Sequence, residues 1–215
     1  MIFGVRNDEV RRMTASPEVK YRGILDYDTP IECIDTAIDT KDLSVEIESE
    51  KNSFIETVTE NNGKINKDEA LLTLATLQNY IERIGIARIL QKRLDIGIIS
   101  PYKAQVQFIR RLLKQTPFFK PIRKLITVNT VDGFQSQERD IIVISMVRSN
   151  EVGQIGFLRD LRRMNVAMTR TRMKLLIIEN SQTLSKHRFY RELHSYIKNL
   201  GTNIESDTNI SDGVS

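Results

Sequence analysis

The chain has 215 residues, of which 40% are hydrophobic and 28% charged, and its formal net charge is +4. These values are typical of a globular protein with one domain of ordinary size and some excess length. No apolar run approaches the roughly 20 residues of a bilayer-spanning helix, so we expect no membrane partner.

The sole cysteine, Cys33, excludes an internal disulfide. His187 and His194 lie seven residues apart without a metal-ligand pattern around them, so we expect no metal site. The first residues lack the apolar stretch and the cleavage site of a signal peptide. A cytoplasmic location is therefore the expectation.

Charge is unevenly distributed along the chain. Asp26 to Glu60 contains eleven acidic residues and two lysines, whereas Arg88 to Lys174 contains eighteen lysines or arginines and six acids. A basic half suits a polyanionic partner such as nucleic acid. Because solvent-facing helices can have the same composition, this asymmetry supports nucleic-acid binding only weakly on its own.

In chain order, residues 1–30 form a variable N-terminal segment, and Ile31 to Asp35 is the first candidate strand. Residues 37–64 are acidic and rich in Ser, Thr and Asn, which predicts a loop or an insertion. Asn66 is a candidate N-cap, with Glu69 as its capping-box partner, for a helix that ends at Gly85. We interpret that helix as core packing without chemistry.

Strands and helices alternate from there on. Four short apolar runs, rich in β-branched residues, predict strands buried on both faces of a sheet: 95–100, 125–130, 140–147 and 173–180. A closing helix is expected to end at Gly201, with residues 201–215 as a disordered tail. This order predicts an α/β fold with a mostly parallel sheet and helices on both faces.

Two stretches carry candidate functional residues. On a helix at 100° per residue, Arg159, Arg163 and Arg170 fall on one stripe, which alone is typical of a solvated face. Because they follow a buried strand, where open α/β sheets bind ligands at the carboxyl end, we expect them to face a phosphate. Tyr102 and Gln105 follow another strand, where a ring and backbone donors can meet a base or a phosphate.

Three segments in this order resemble conserved motifs of superfamily 1 helicases. VDGFQSQERDIIVISMVRSN and GFLRDLRRMNVAMTRTR resemble the fifth and sixth motifs of the branch that contains the RNA-surveillance helicases and their DNA-replication relatives. IGIISPYKAQV resembles the segment that precedes them. The resemblance covers about residues 95–201. It implies that residues 31–200 form the second RecA-like lobe of a P-loop NTPase.

The resemblance also implies roles for residues at the matching positions. Arg170 would be the arginine finger, which stabilises charge during phosphoryl transfer, with Arg163 in support. The nucleotide-binding candidates are Gly133, Gln135 and Glu138. Arg148 would help to link the nucleic-acid grip to the nucleotide cleft. The nucleic-acid-binding candidates are Ser100, Pro101, Tyr102, Gln105, Thr130, Val131, Ser149 and Asn150.

The chain also departs from the family pattern. Ser136 stands where the family usually has glycine, which costs roughly 1 kcal/mol if the turn requires a positive φ. The sequence contains no G-x-x-x-x-G-K-[ST] phosphate loop, no strand ending in Asp-Glu, and no tyrosine-arginine-methionine-histidine segment at the start. We therefore expect ATP and Mg²⁺ to be held mainly by an N-terminal lobe that this sequence lacks.

We expect the chain to be one half of an ATP-dependent helicase and to be inactive without the other half. Its expected partners are single-stranded DNA or RNA and an N-terminal lobe or partner chain. Two alternatives stay open: a non-catalytic module that binds nucleic acid or another helicase, and a truncated remnant. Retention of Arg170, Gln135 and Glu138 favours the half-helicase, whereas Ser136 and the missing lobe favour the non-catalytic module.

Overall fold

The computed structural model describes residues 30–37, 54–60, 63–134 and 137–208, with the side chains of 200–208 excluded. The predicted variable segment up to residue 29, most of the acidic stretch, and residues 209–215 lie outside this description. Gln135 and Ser136 also lie outside it, so the predicted nucleotide contact of Gln135 and the cost of Ser136 stay predictions.

The core of the fold is a five-stranded sheet in the order β1-β7-β6-β4-β5, in which every neighbouring pair is parallel. All five predicted strands are present, with ends shifted by one or two residues. Two further strands, β2 and β3, form a small antiparallel hairpin. The strands are β1 (Ile31–Asp35), β2 (Thr57–Val58), β3 (Lys64–Ile65), β4 (Ile96–Ile99), β5 (Ile126–Asn129), β6 (Arg139–Ser145) and β7 (Thr171–Glu179).

Helices cover both faces of the sheet, as the sequence predicts. They are α1 (Lys67–Ile84), α2 (Ile86–Lys92), α3 (Lys103–Gln115), α4 (Leu161–Thr169), α5 (Ser181–Leu184) and α6 (Arg188–Thr208). Within the residues that the structure describes, four 3₁₀ turns accompany them: Pro117–Phe119, Arg123–Leu125, Val131–Phe134 and Gly156–Arg159. None of the helices in the described part of the chain combines the length and apolar character needed to cross a bilayer.

Alternate residues of the central strands enter two separate cores, which explains why these strands show no polar alternation. In β6, Ile141 and Val143 pack in the core under α1, α2 and α3. Ile142 and Ile144 pack in the core under α4 and α6. All four are fully buried. The result is the three-layer α/β arrangement of a RecA-like lobe.

Three predicted boundaries require correction. The closing helix does not end at Gly201 but continues to Thr208, so the first part of the predicted tail is helical. Residues 54–65 are not loop throughout, because β2 pairs with β3 and Phe54 is buried in the core. The helix that was expected to carry three arginines covers only Leu161–Thr169. Arg159 belongs to the preceding 3₁₀ turn, and Arg170 is the C-cap residue.

Candidate nucleotide and nucleic-acid sites

The carboxyl edge of the sheet brings together most of the predicted nucleic-acid contacts. Because the strands are parallel, the residues that directly follow β4, β5 and β6 lie along the same edge. The hydroxyl of Ser100, directly after β4, is buried and has no hydrogen-bond partner in the described part of the structure. The candidates along this edge are Ser100, Pro101, Tyr102, Thr130, Ser149 and Asn150.

Tyr102 and Arg148 form the centre of this edge. The Tyr102 hydroxyl lies 3.3 Å from Nη1 of Arg148, which donates to it. The Tyr102 ring is only 5% exposed and lies 5.5 Å from the ring of Phe157, which is 63% exposed. Gly156, at φ +53°, allows this approach, because a Cβ there would overlap Arg148 and would lie 2.7 Å from the Tyr102 hydroxyl. Phe157 therefore presents an open aromatic face beside buried polar groups.

Glu56 fixes the segment that follows β6. Its carboxylate accepts from Nε of Arg148 at 2.7 Å, from the Ser149 N–H at 3.0 Å and from the Asn150 amide at 3.1 Å. Lys64 Nζ lies 3.1 Å from its other oxygen. Burial opposes the charged carboxylate, but the hydrogen bonds from Asn150 and Lys64 and the charge of Arg148 outweigh it, so the pKa of Glu56 is lowered.

Gln105 does not lie on the surface of this edge. Its side chain is fully buried, accepts from the Asn66 N–H at 3.0 Å, and donates to the Asn66 carbonyl at 2.9 Å and to the Ser145 hydroxyl at 3.0 Å. A buried amide with these partners presents no side-chain surface to a polymer. In this structure the Gln105 side chain connects the start of α1 to the end of β6, and its contact with nucleic acid stays a prediction. Val131 is also buried, in the core under α4.

Glu69 departs from the predicted capping box. Asn66 caps α1 as predicted, because its side chain accepts from the Glu69 N–H at 3.0 Å. The Glu69 carboxylate does not accept from the Asn66 N–H, as a capping box requires. It accepts instead from the Ser145 hydroxyl at 2.6 Å and from the Val147 N–H at 2.8 Å. Because Gln105 already satisfies the Asn66 N–H, the Glu69 side chain is available to the end of β6.

The amino edge of the sheet contains the second group of candidates. Arg170 lies directly before β7, and its carbonyl accepts from the N–H of Arg139, the first residue of β6. Glu138 is exposed beside them. The Arg170 Nε atom is buried and has no hydrogen-bond partner among the described residues. A guanidinium N–H in that condition is suited to an anionic ligand.

Arg163 lies in the first turn of α4, about 10 Å along the helix axis from Arg170, the C-cap residue. Its Nε lies 3.5 Å from Asp132 and 3.4 Å from Asp160, and all three side chains are about half exposed or more. Asp132 belongs to the 3₁₀ turn that also contains Gly133. A Cβ at Gly133 would overlap the Asn129 amide, whose oxygen accepts from the Thr130 N–H at 2.9 Å.

For Arg170, the structure thus corrects the expectation that the arginines lie at the carboxyl end of a strand. Helix α4 runs back across the sheet, so Arg170 reaches the amino edge, whereas Tyr102 and Arg148 stay at the carboxyl edge. The described residues of the connection between β5 and β6, 130–134 and 137–138, likewise begin at the carboxyl edge and end at the amino edge. Arg170 and Glu138 therefore lie at the amino edge, whereas Gly133, beside Asn129 and Thr130, lies near the predicted nucleic-acid contacts at the carboxyl edge.

Comparison with known families decides the classification. A family model described as an AAA domain matches residues 10–182, which is most of the chain. The chain belongs to this family. Its relatives identify it as a superfamily 1 helicase-like C-terminal domain.

Three helicases illustrate the similarity. The DNA polymerase alpha-associated DNA helicase A of Saccharomyces cerevisiae is 39% identical over 53% of this chain and 16% of its own length. The regulator of nonsense transcripts 1 homolog of Neurospora crassa is 40% identical over 62% of this chain and 12% of its own. An uncharacterized ATP-dependent helicase of Methanocaldococcus jannaschii is 39% identical over 54% and 16%. The chain spans less than a fifth of each relative.

Sequence reasoning missed three residues of this helicase-like domain. Glu69 was assigned to capping, although it precedes Leu72 and Thr73 by one helical turn and therefore shares their buried stripe. An acid on an apolar stripe was the available signal. Glu56 gave no signal, because it lies among many acids in a segment predicted to be loop. Val147, at φ +72°, gave none either, since valine is rare in that conformation.

Proposed function

We propose that this chain is the C-terminal lobe of an ATP-dependent DNA or RNA helicase. In this role it supplies an arginine finger, Arg170, and part of the track for single-stranded nucleic acid. The observation that carries the proposal is the position of Arg170 directly before β7 at the amino edge, with an Nε that has no hydrogen-bond partner among the described residues, a condition that Nε of Arg172 shares. The family assignment supplies the context, since AAA domains and helicases are its relatives.

ATP with Mg²⁺ would supply the phosphoryl group whose transfer to water drives movement along the polymer. The residues at the amino edge fit an anionic ligand, because Arg170 offers an always-charged, planar set of donors. In this proposal Arg170 stabilises negative charge on the transferred group. Arg163, oriented by Asp132 and Asp160, supports the same region, while Gly133, Gln135 and Glu138 contact the nucleotide.

The nucleic-acid track lies along the carboxyl edge in this proposal. The exposed ring of Phe157 can stack on a base, and the Tyr102–Arg148 pair beneath it fixes its position. In this proposal the partly exposed Thr130 and Asn150 supply donors for phosphates, and the buried Ser100 and Ser149 shape the edge beneath them. The two edges belong to one rigid sheet, so nucleotide and polymer would contact the same body.

Hydrolysis also requires a phosphate loop, which these 215 residues do not contain. We propose that an N-terminal lobe supplies it, together with most of the contacts to ATP and Mg²⁺. That lobe can belong to the same polypeptide or to a partner chain. The cytoplasmic location also stays a prediction.

The test is ATPase activity stimulated by single-stranded DNA or RNA, measured for this chain alone and after mixing with the N-terminal lobe encoded upstream. We expect activity only in the mixture. Arg170→Ala should lower kcat by about 10³- to 10⁵-fold. Arg162→Ala is the matched control, because Arg162 is an exposed arginine on the same helix and should leave kcat unchanged.

Three outcomes would contradict parts of the proposal. Full ATPase activity in Arg170→Ala would exclude Arg170 as an arginine finger. Activity of the isolated chain would refute the need for a second lobe. No activity in the mixture, together with salt-sensitive binding of single-stranded nucleic acid, would favour a non-catalytic binding module.

A further inference from the structure

Three side chains with metal-binding chemistry converge at the side of the sheet covered by α6. Cys33 lies on β1, Glu179 ends β7, and His194 lies on α6. The Cys33 thiol donates to Oε1 of Glu179 at 3.2 Å, and Nδ1 of His194 lies 2.8 Å from the same oxygen. The sulfur, nitrogen and oxygen atoms all lie within 4.8 Å of one another.

The fold explains this convergence. Cys33 pairs with Ile177 and Asp35 pairs with Glu179 in the parallel ladder of β1 and β7. Cys33 and Glu179 are therefore diagonal neighbours on the face that packs against α6. Leu193 and Ile197 hold α6 in that core, which places His194 over the pair. Each side chain is thus attached to a regular element rather than to a loop.

We propose that Cys33, Glu179 and His194 form a site for Zn²⁺ or a chemically similar divalent cation. A thiolate, a carboxylate and an imidazole are the three ligand types that zinc takes from proteins. Tetrahedral ligands at about 2.0 to 2.3 Å from zinc lie roughly 3.3 to 3.5 Å apart. The observed sulfur–oxygen and nitrogen–oxygen separations of 3.2 and 2.8 Å need to open by about 0.3 to 0.5 Å, and the sulfur and nitrogen, which lie within 4.8 Å of each other, need to come to about 3.5 Å.

The surroundings are suited to a cation. Glu179 is 2% exposed, and the Asp35 carboxylate adds negative charge near both Cys33 and His194. These two carboxylates together outnumber the single positive charge of Lys198 near His194. Binding replaces the thiol proton, which is released to solvent, with a sulfur–metal bond. His194 is partly exposed, so a water molecule can occupy the fourth position. The cation would join edge strand β1 to α6, and this role does not depend on the proposed helicase function.

Cobalt(II) is the probe for this site. The tag-free chain, freed of metal by a chelator under reducing conditions, is titrated with Co²⁺. We expect one equivalent to bind with tetrahedral-type visible absorption and a thiolate-to-cobalt band in the near ultraviolet, and Zn²⁺ to displace it. Removing an outer-shell partner typically costs about 10- to 100-fold in metal affinity, so loss of a direct ligand should cost at least about 100-fold.

The variants Cys33→Ser, Glu179→Gln and His194→Gln are each expected to show that loss. His187→Gln is the control, because His187 precedes α6 and lies outside the cluster. Circular dichroism of the metal-free proteins checks the fold; if Glu179→Gln does not fold, Cys33→Ser and His194→Gln decide the question. A wild-type titration without a thiolate band, or a band that survives in Cys33→Ser, would overturn the site and leave a hydrogen-bonded network.

Discussion

Oε1 of Glu69 accepts a hydrogen bond from the N–H of Val147 at 2.8 Å, and Val147 has φ +72°. This conformation is strained for a β-branched residue, by an amount on the order of 1 to 3 kcal/mol. The Val147 carbonyl also accepts from the Asn66 amide at 3.4 Å, so the first turn of α1 holds both polar groups of the strained residue. The strain turns the chain at the end of β6 and places Arg148 against Glu56 and Tyr102.

Replacing Glu69 by alanine should therefore destabilise the fold strongly. The Val147 N–H and the Ser145 hydroxyl would lose their acceptor inside the protein, and a cavity would remain. We expect a loss of about 3 to 5 kcal/mol in the free energy of unfolding, measured by denaturant titration. Glu82→Ala on the exposed face of the same helix should cost less than about 0.5 kcal/mol. Similar losses for the two variants would show that the hydrogen bonds of Glu69 to Ser145 and Val147 do not stabilise the fold.

Stability should also depend on pH through Glu69. Burial raises the pKa of its carboxyl to about 7, against the opposing hydrogen bonds from Ser145 and Val147. Because the folded pKa is above the unfolded value of 4.5, the protonated form favours folding. This stability is fully present below pH 4.5 and is lost as the pH rises through 7, a change on the order of 3 kcal/mol.

The measurement is the unfolding free energy between pH 4.5 and 8 for wild type and Glu69→Gln. We expect the variant to lack this component of the pH dependence, while Glu82→Gln keeps it. Parallel curves for wild type and Glu69→Gln would contradict the assignment, because other titrating groups are common to both proteins.

Glu56 should have the opposite pH dependence. Its pKa is lowered in the folded state, so its contribution is present above the unfolded value of 4.5 and is lost at lower pH. Glu56→Gln should cost about 1 to 3 kcal/mol at neutral pH, because buried Arg148 loses its charged partner. Hydrogen exchange should also increase at the Ser149 amide. Glu60→Gln, an exposed acid of the same segment, is the control, and equal exchange in both variants would refute this role.

Gly133 should be intolerant of a side chain because of Asn129. In Gly133→Ala the new Cβ would displace the Asn129 amide, which holds the Thr130 N–H, and we expect a cost of about 1 to 3 kcal/mol. In the Asn129→Ala background the same change should cost about 1 kcal/mol less, since the obstacle is removed. Equal costs in both backgrounds, measured by thermal or denaturant unfolding, would show that another contact is responsible.

Phe157 should contribute to nucleic-acid binding by stacking, which rests on the proposed track. Loss of one base–aromatic stack costs about 1 to 3 kcal/mol, so Phe157→Ala should raise the Kd for single-stranded nucleic acid by roughly 5- to 150-fold. The slope of affinity against salt concentration should stay the same, because no phosphate contact is removed. Leu90→Ala, an exposed apolar residue on α2, is the control. Unchanged affinity in Phe157→Ala would exclude stacking there.

The sequence by itself determined the architecture of this protein. The run from Ile141 to Val147 is apolar except at Ser145, because both faces of the strand are buried. The five strands of the main sheet, their parallel pairing and the helical layers therefore followed from local patterns. The ordered motifs also identified the helicase family. Asn66 as a helix cap was readable because capping acts within four residues of the chain.

Only the tertiary structure decided where the functional side chains meet. Glu69 and Val147 are 78 residues apart, and Cys33 and Glu179 are 146 apart, so no local pattern links them. In the structure Arg170 lies at the edge of the sheet opposite to Tyr102, because α4 must run back across the sheet before the next parallel strand begins. Local propensities set the elements, whereas the packing of distant elements set which polar groups are paired and which, like Nε of Arg170, have no partner among the described residues.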